Sequence, residues 1–110
     1  MKFVVVRFSN DDRFKISFTV IAHDRAKYYA GRDNPDEAEG STKWQETYAR
    51  ERAYTLGSTE ETLDWLWNNM NWEDVQQDAE KYVTTNDQYV YSEHWNEITE
   101  NDDNVEIIEG

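Results

Sequence analysis

The chain contains no cysteine, one proline, four glycines and two histidines in 110 residues. The lack of cysteine excludes a disulfide framework, a thiolate zinc site and a cysteine nucleophile. The four glycines are isolated, so no glycine-rich phosphate loop is present, and the motifs His-Glu-x-x-His and Gly-x-Ser-x-Gly are absent. We therefore assign no catalytic, cofactor-binding or metal-binding residues from motifs.

Long hydrophobic runs are absent as well. The apolar stretch Phe3–Val6 ends at Arg7 after four residues, which is too short for the core of a signal peptide or for a membrane span. The hydrophobic content of 37%, with five Trp, seven Tyr and four Phe, nevertheless supplies enough side-chain volume to fill one core. We expect a single compact acidic domain spanning residues 1–110, located in the cytoplasm.

Positive charge is scarce, because 11 Lys and Arg oppose 24 Asp and Glu and give a formal net charge of −13. Residues 1–32 hold seven of the basic side chains, which we expect on the solvent side of a sheet, whereas Lys81 is the only basic residue after Arg52. Such an acidic field repels nucleic acid phosphates and acidic membranes and attracts basic proteins. The composition therefore predicts a basic protein partner, with no direct binding to nucleic acid or membrane.

The N-terminal residues predict a β-hairpin. Residues 3–8 and 13–21 have the composition of strands, and residues 9–12 between them are turn formers whose Asn and Asp side chains bond nearby backbone. In the second segment, apolar and polar side chains alternate with the period of two that is typical of a half-buried strand. The alternating apolar residues are Phe14, Ile16, Phe18 and Val20.

Helices are predicted in the middle of the sequence. Asp24 is placed to cap a short helix that runs to Ala30 and ends at Gly31. A second helix is predicted over residues 42–56, because the segment Thr42–Gln45 has the pattern of a capping box.

Two further helices are predicted to follow. Ser58 and Glu61 predict the start of a third helix, whose apolar side chains recur at the i, i+3, i+4 and i+7 positions of one face. The segment Asn71–Asp74 predicts that a fourth helix begins there, and we expect it to continue to Val83. Acidic residues near these N-termini interact favourably with the helix dipole, so part of the negative charge has a local structural role.

The C-terminal segment returns to a β pattern. The alternation in residues 89–95 predicts a strand, residues 101–104 an acidic turn, and residues 105–108 a final strand. The fold class is therefore predicted as α+β. We expect an antiparallel sheet of about four strands, formed by the N-terminal hairpin and the C-terminal strands, with three to four helices packed on one face.

His94 is the strongest candidate for chemistry. Its neighbours Glu93 and Glu97 supply carboxylates, so a small metal-dependent hydrolase that uses His94 is one interpretation. In a strand, however, His94 and Glu97 point to opposite faces, and one histidine with scattered carboxylates is a weak site for a divalent cation. A histidine at the surface or on an edge strand is the simpler interpretation.

A binding protein is the interpretation that we favour. Acidic helices without neighbouring Lys or Arg can imitate the phosphate array of a duplex and occupy the site of a basic DNA- or RNA-handling protein. Trp65 lies at the flank of its helix, where it is either a partly exposed anchor for a partner or part of a wide core. The candidate partner-binding residues are Glu60, Glu61, Asp64, Trp65, Glu73, Asp74, Asp78 and Glu80.

The favoured interpretation is thus a non-enzymatic acidic interaction module, and two questions about it remain open: what the acidic surface serves and whether the protein forms a dimer. An acidic surface also serves solubility, so the chain fits an acidic accessory domain with a different partner. Unpaired strand edges of the hairpin can pair with a second copy, which would give a homodimer.

The segment Asn68–Val75, with the sequence Asn-Asn-Met-Asn-Trp-Glu-Asp-Val, resembles small uncharacterised proteins of tailed bacteriophages, notably those that infect cyanobacteria. The resemblance covers about eight residues and implies no catalytic residues. It implies expression in a bacterial cytoplasm during infection, where small acidic proteins that bind host enzymes are expected.

Overall fold

The computed structural model describes residues 1–83, 91–99 and 104–110, and it confirms the α+β fold class. The described residues contain five helices, one of them a single turn, against the three or four predicted. In chain order the elements are β1 (Lys2–Arg7), β2 (Arg13–Ser17), α1 (Phe18–Asp33), α2 (Thr42–Leu56), α3 (Thr59–Asn69), α4 (Trp72–Val75), β3 (Glu80–Val83), α5 (Tyr91–Thr99) and β4 (Val105–Glu109).

The contacts divide the chain into two compact units. The sheet unit consists of Met1–Phe18 and Trp67–Gly110, and the helical unit is the intervening segment Thr19–Leu66. The predicted single domain and the predicted packing of helices on one face of the sheet stay predictions.

The strands form one antiparallel sheet in the order β3-β2-β1-β4. The N-terminal hairpin is confirmed, and β4 confirms the predicted final strand, whereas residues 101–103 of the predicted turn lie outside the described residues. β1 and β2 each have a neighbouring strand on both sides. The hairpin edges, whose pairing with a second copy was left open, are therefore occupied within the chain.

The hairpin turn is closed by backbone bonds between Phe8 and Asp12. The Phe8 N–H donates to the Asp12 carbonyl at 2.9 Å, and the Asp11 N–H donates to the Phe8 carbonyl at 2.9 Å. Asp11 has a φ of 70°, a left-handed conformation that aspartate tolerates better than most residues. The turn chemistry predicted from residues 9–12 is thus confirmed.

β2 ends at Ser17, so the predicted strand is wrong for residues 18–21, which begin α1. Phe18, Ile21 and Ala22 are buried at the i, i+3 and i+4 positions of a helix. Val20, which the alternation placed on the buried side with Phe18, is only half-buried. The apolar residues of this segment fit both periods, and packing selects the helical one.

α1 also extends beyond the predicted end at Ala30. Gly31 lies within the helix, where an added Cβ would meet no atom within 4 Å. The Asn34 side-chain amide donates to the Ala30 carbonyl at 2.9 Å, which satisfies an acceptor of the last turn. Pro35 follows, and the residue before a proline disfavours helical backbone. These two residues, not Gly31, end the helix.

α2 has the predicted bounds, but its N-cap lies one residue earlier than predicted. The Ser41 hydroxyl accepts from the Trp44 N–H at 3.3 Å. The Gln45 side chain donates to the Gly40 carbonyl at 2.6 Å instead of closing a box with Thr42. The cap is therefore formed by the serine with extended backbone, as capping geometry requires.

The segment after α3 contains less helix than predicted. α4 covers only Trp72–Val75, and Glu80–Val83 forms β3 instead of continuing the helix. β3 pairs with β2, and Lys15 lies opposite Glu80 in this pairing. Hydrogen bonding to a strand that is distant in sequence therefore overrides the local helical pattern.

The predicted strand over residues 89–95 is wrong for its described part, because Tyr91–Thr99 forms α5. Trp95 and Ile98 are both buried, and a spacing of three places two side chains on one side of a helix but on opposite sides of a strand. Residues 89 and 90 lie outside the described residues.

An aromatic cluster fills the core of the sheet unit, with Phe8 at its centre. Phe8 is 1% exposed, and its ring centroid lies 5.8 Å from that of Phe14, 5.5 Å from that of Trp72 and 4.8 Å from that of Tyr91. Trp95 completes the cluster at 6.4 Å. Edge-to-face contacts of this kind add to the free energy gained from burial. Residues from both ends of the chain therefore share one core.

The helical unit contains a buried arginine, which contradicts the expectation that the N-terminal basic residues lie on the solvent side of a sheet. Arg25 lies on α1 and is 9% exposed. Its guanidinium donates to Glu51 and to the Thr55 hydroxyl, both at 3.1 Å. It also lies 4.6 Å from the ring centroid of Tyr29 and 5.2 Å from that of Tyr54. The buried charge of Arg25 is therefore paired, and the contacts of this side chain connect α1 with α2.

Candidate functional site

The structure distributes the candidate acidic residues over both units. Glu60, Glu61 and Asp64 lie on α3 in the helical unit, and we call them the α3 acidic surface. Glu73, Asp74, Asp78 and Glu80 lie in the sheet unit, on α4 and on the segment that follows it, and we call them the α4 acidic surface.

The α3 acidic surface begins in the first turn of its helix. The predicted cap is confirmed in its first half, since the Ser58 hydroxyl accepts from the Glu61 N–H at 3.2 Å. Glu60 and Asp64 are exposed and share a side of the helix at a spacing of four residues, whereas Glu61 is half-buried. Carboxylates at a helix N-terminus interact favourably with its dipole. This arrangement allows Glu60 and Asp64 to face solvent together.

The α4 acidic surface contains two structural carboxylates and two that form no ion pair with the residues the structure describes. The Asp74 carboxylate accepts from the Asn71 N–H at 2.7 Å and so caps the start of α4. Glu80 forms an ion pair with Lys15 at 3.5 Å. Glu73 and Asp78 are exposed, and neither has an ion-pair partner within the part of the chain that the structure describes. They are the residues of this surface that remain available to a basic partner.

Trp65 is buried, so the interpretation of this residue as a partly exposed anchor is wrong. Its side chain is 8% exposed, and its indole N–H donates to Asp24 at 2.8 Å. Its rings lie 5.5 Å from the ring of Tyr28 and 5.8 Å from the ring of Tyr29. Asp24, predicted as a helix cap, lies inside α1 and serves as the acceptor of this bond. The alternative of a wide core is the correct one.

Replacement of Trp65 with phenylalanine tests this structural role. We expect the free energy of unfolding to fall by about 1.5–3 kcal/mol, because a hydrogen bond to the charged Asp24 is lost while most of the ring volume is kept. Chemical denaturation followed by circular dichroism measures the change. Trp44→Phe is the matched control, since Trp44 is half-buried. Equal stability of wild type and Trp65→Phe would contradict the assignment.

His94 and Glu97 do lie on one face, because α5 replaces the predicted strand. The His94 Nδ1 atom lies 3.1 Å from a Glu97 carboxylate oxygen. Two side chains do not complete a metal site, and no group of three or more His, Asp or Glu suited to a metal ion occurs among residues 1–83, 91–99 and 104–110. A divalent metal needs at least three protein ligands to be held firmly. The described geometry at His94 is therefore that of a hydrogen bond between two side chains three residues apart on a helix.

The sequence patterns did not reveal an acidic cavity in the helical unit. Its volume is about 300 Å³, and its wall combines the indole of Trp44 with Glu37 and Glu39. Lys27 and Lys43 contact these carboxylates at 3.9 Å, in exposed and long ion pairs. Such pairs contribute little and are readily exchanged. The remaining lining residues are Lys27, Gly31, Asn34 and Pro35.

The acid-rich loop around Pro35 is the one sequence feature that could have indicated this cavity. The stacking of Trp44 on Tyr48, with ring centroids 5.3 Å apart and planes 7° apart, was not predictable. An aromatic face next to carboxylates is suited to a cationic side chain.

Comparison with protein families, curated proteins and solved structures yields no match for this chain. No helix of the described residues is long and apolar enough to cross a membrane.

Proposed function

We propose that this chain is a non-enzymatic interaction module that binds a basic protein, and that its partner is a DNA- or RNA-handling protein whose phosphate-binding surface it occupies. One observation carries the proposal. No basic residue occurs from Ala53 to Glu80, and the acidic residues of this stretch include the exposed Glu60, Asp64, Glu73 and Asp78.

Electrostatics support a partner of this class. A net charge of −13 on 110 residues raises the rate of encounter with a positive surface and opposes encounter with nucleic acid. Complementary charges determine which partner binds and how fast, more than how tightly. The interaction is therefore expected to weaken steeply as salt screens the two surfaces.

The cavity at Trp44 adds a contact that is not purely electrostatic. A Lys or Arg side chain of the partner would place its charge between the indole and the carboxylates of Glu37 and Glu39. Cation–π contacts contribute about 0.5–2 kcal/mol, depending on desolvation. A DNA-binding surface offers many such cations, so this cavity favours the same class of partner.

The resemblance of Asn68–Val75 to phage proteins, which stays a prediction, is consistent with this proposal. It would place the protein in the cytoplasm of a bacterial host during infection. There, occupation of a host nucleic-acid enzyme by an acidic protein would compete with its DNA or RNA.

The proposal is tested by affinity capture from nuclease-treated bacterial lysate, with three double variants of identical net charge. The surface variants are Glu60→Lys with Asp64→Lys, and Glu73→Lys with Asp78→Lys. The control carries Glu46→Lys and Glu93→Lys at exposed helix positions outside both surfaces. We expect a DNA- or RNA-handling protein to be retained at about 50 mM salt and lost at about 500 mM.

Because all three variants have the same net charge, they distinguish binding through a specific acidic surface from binding that depends only on the net charge of the protein. We expect at least one surface variant to lose the partner while the control retains it, with circular dichroism showing that all three are folded. Duplex DNA or RNA should displace the protein from the purified partner. Equal loss in all three variants, or a complex that nucleic acid does not displace, would overturn the proposal.

A further inference from the structure

Two arginines face each other across the hairpin. Arg7 of β1 lies directly opposite Arg13 of β2 in the antiparallel register, so both side chains lie on the same face of the sheet. Like charges in directly opposed positions destabilise a sheet. Lys15 follows on the same face, two residues after Arg13. A cluster of this kind needs a counter-charge.

Two other cations, Lys15 and Arg25, form ion pairs with described carboxylates, whereas Arg7 and Arg13 form none with the residues that the structure describes. Lys15 pairs with Glu80 at 3.5 Å, and Arg25 pairs with Glu51 at 3.1 Å. Arg7 and Arg13 are half-buried, and no hydrogen bond or ion pair joins either guanidinium to residues that the structure describes.

Arg7 and Arg13 both line a cavity of about 190 Å³ in the sheet unit. Val5 and Val105 supply apolar surface, and Asn104, which directly precedes β4, supplies a side-chain amide. The cavity is smaller than the roughly 300–1,000 Å³ typical of sites for drug-sized ligands and cofactors. It is suited to a small anion or to the anionic end of a small molecule.

We propose that Arg7 and Arg13 form a binding site for the phosphate group of a small molecule. The planar guanidinium presents paired N–H donors that match phosphate oxygens, and two of them on adjacent strands can hold one phosphate from two sides. The amide of Asn104 supplies a further donor. A bound phosphate removes the repulsion between the arginines. The negative net charge of the chain opposes a nucleic acid, which carries many phosphates, more than it opposes a ligand with a single phosphate group.

Glu106 determines which phosphate compounds fit. It also lines the cavity, and it lies opposite Val5 on β4. Its carboxylate repels additional negative charge and accepts hydrogen bonds. The ligand class is therefore a monophosphate ester that carries hydroxyl groups, in preference to a nucleoside triphosphate. This site is independent of the acidic surfaces, so its failure would leave the proposed function untouched.

The test is a titration of the full chain with inorganic phosphate and with glycerol phosphate. Isothermal calorimetry at constant ionic strength, with chloride in place of phosphate as the reference, measures binding. We expect a Kd of about 1 mM or lower. Arg7→Gln and Arg13→Gln should each weaken it about tenfold or more, because each removes a charge-assisted hydrogen bond. Arg52→Gln, at a half-buried arginine in the helical unit, is the control of equal charge and should bind as wild type does.

A variant that is expected to bind phosphate more tightly is also needed, because misfolding can explain a loss of binding but not a gain. Glu106→Gln removes a negative charge from the cavity wall, so phosphate affinity should rise about threefold, the size expected for one charge several ångströms away in water. Absence of binding at about 10 mM phosphate would overturn the proposal. Binding that Arg7→Gln and Arg13→Gln leave unchanged would overturn it as well.

Discussion

Replacement of Phe8 with alanine is expected to destabilise the protein by about 3–5 kcal/mol, because it removes the ring at the centre of the aromatic cluster. Phe8 is 1% exposed and contacts the rings of Phe14, Trp72, Tyr91 and Trp95. Loss of the ring removes apolar burial and leaves a cavity whose rigid aromatic walls cannot collapse to fill it. A change of this size is a large part of the about 5–15 kcal/mol that stabilises a typical domain.

Urea denaturation followed by far-ultraviolet circular dichroism measures this effect. With a slope of about 2 kcal/mol per molar urea, the midpoint should fall by about 2 M. Phe3→Ala is the matched control, since Phe3 lies on β1, the strand that Phe8 directly follows, but is only half-buried and points to the other face of the sheet. We expect the control to cost about 1 kcal/mol. Equal costs for the two alanine variants would contradict a core centred on Phe8.

Replacement of Asp12 with alanine is expected to cost about 3 kcal/mol. The side chain is fully buried, and its carboxylate accepts from the Asn10 amide at 2.8 Å and from the Tyr91 hydroxyl at 2.5 Å. Each hydrogen bond to a charged group contributes about 1.5–3 kcal/mol, and alanine would leave both donors without this acceptor. The bond to Tyr91 also joins the hairpin turn to α5 across 79 residues of sequence.

A double-mutant cycle with Tyr91→Phe isolates that long-range bond. We expect Tyr91→Phe alone to cost about 1.5 kcal/mol, and the double variant to cost less than the sum of the two single variants by about 1–2 kcal/mol. Urea midpoints of the four proteins supply the values. Strict additivity would show that Asp12 and Tyr91 do not interact in solution.

Local sequence determined the elements whose chemistry is contained in a few consecutive residues. The hairpin turn of residues 9–12 and the capping serine Ser58 were predicted correctly, and the cap of α2 was misplaced by only one residue. In each case the side chain that determines the conformation lies within four residues of the backbone group that it satisfies. No tertiary contact is needed to make these choices.

Prediction failed where one segment fits two periods. Residues 18–21 and 91–95 alternate like strands, yet both belong to helices. The spacing of Trp95 and Ile98 decides for a helix, but that spacing becomes informative only when both side chains are known to be buried. The reverse happened at residues 80–83, where pairing with β2 makes a strand from a helical pattern.

For the candidate site, too, one part could be predicted from the sequence and another part could not. The acidic composition, and with it the expectation of a basic partner, follows from the sequence alone. The roles of individual acids do not, because Asp74 caps a helix, Glu80 pairs with Lys15, and Glu73 and Asp78 remain exposed. Only the folded chain separates structural carboxylates from available ones.

The sequence by itself determined the fold class, the turn and cap chemistry and the sign of the electrostatic field, because these depend on composition and on neighbours in the chain. Tertiary structure alone decided that Trp65 is buried, that Asp12 binds Tyr91, and that Arg7 faces Arg13 beside a cavity. The physical reason is that burial and cross-strand register arise from contacts between residues that are distant in sequence, and no local pattern specifies which of those contacts will form.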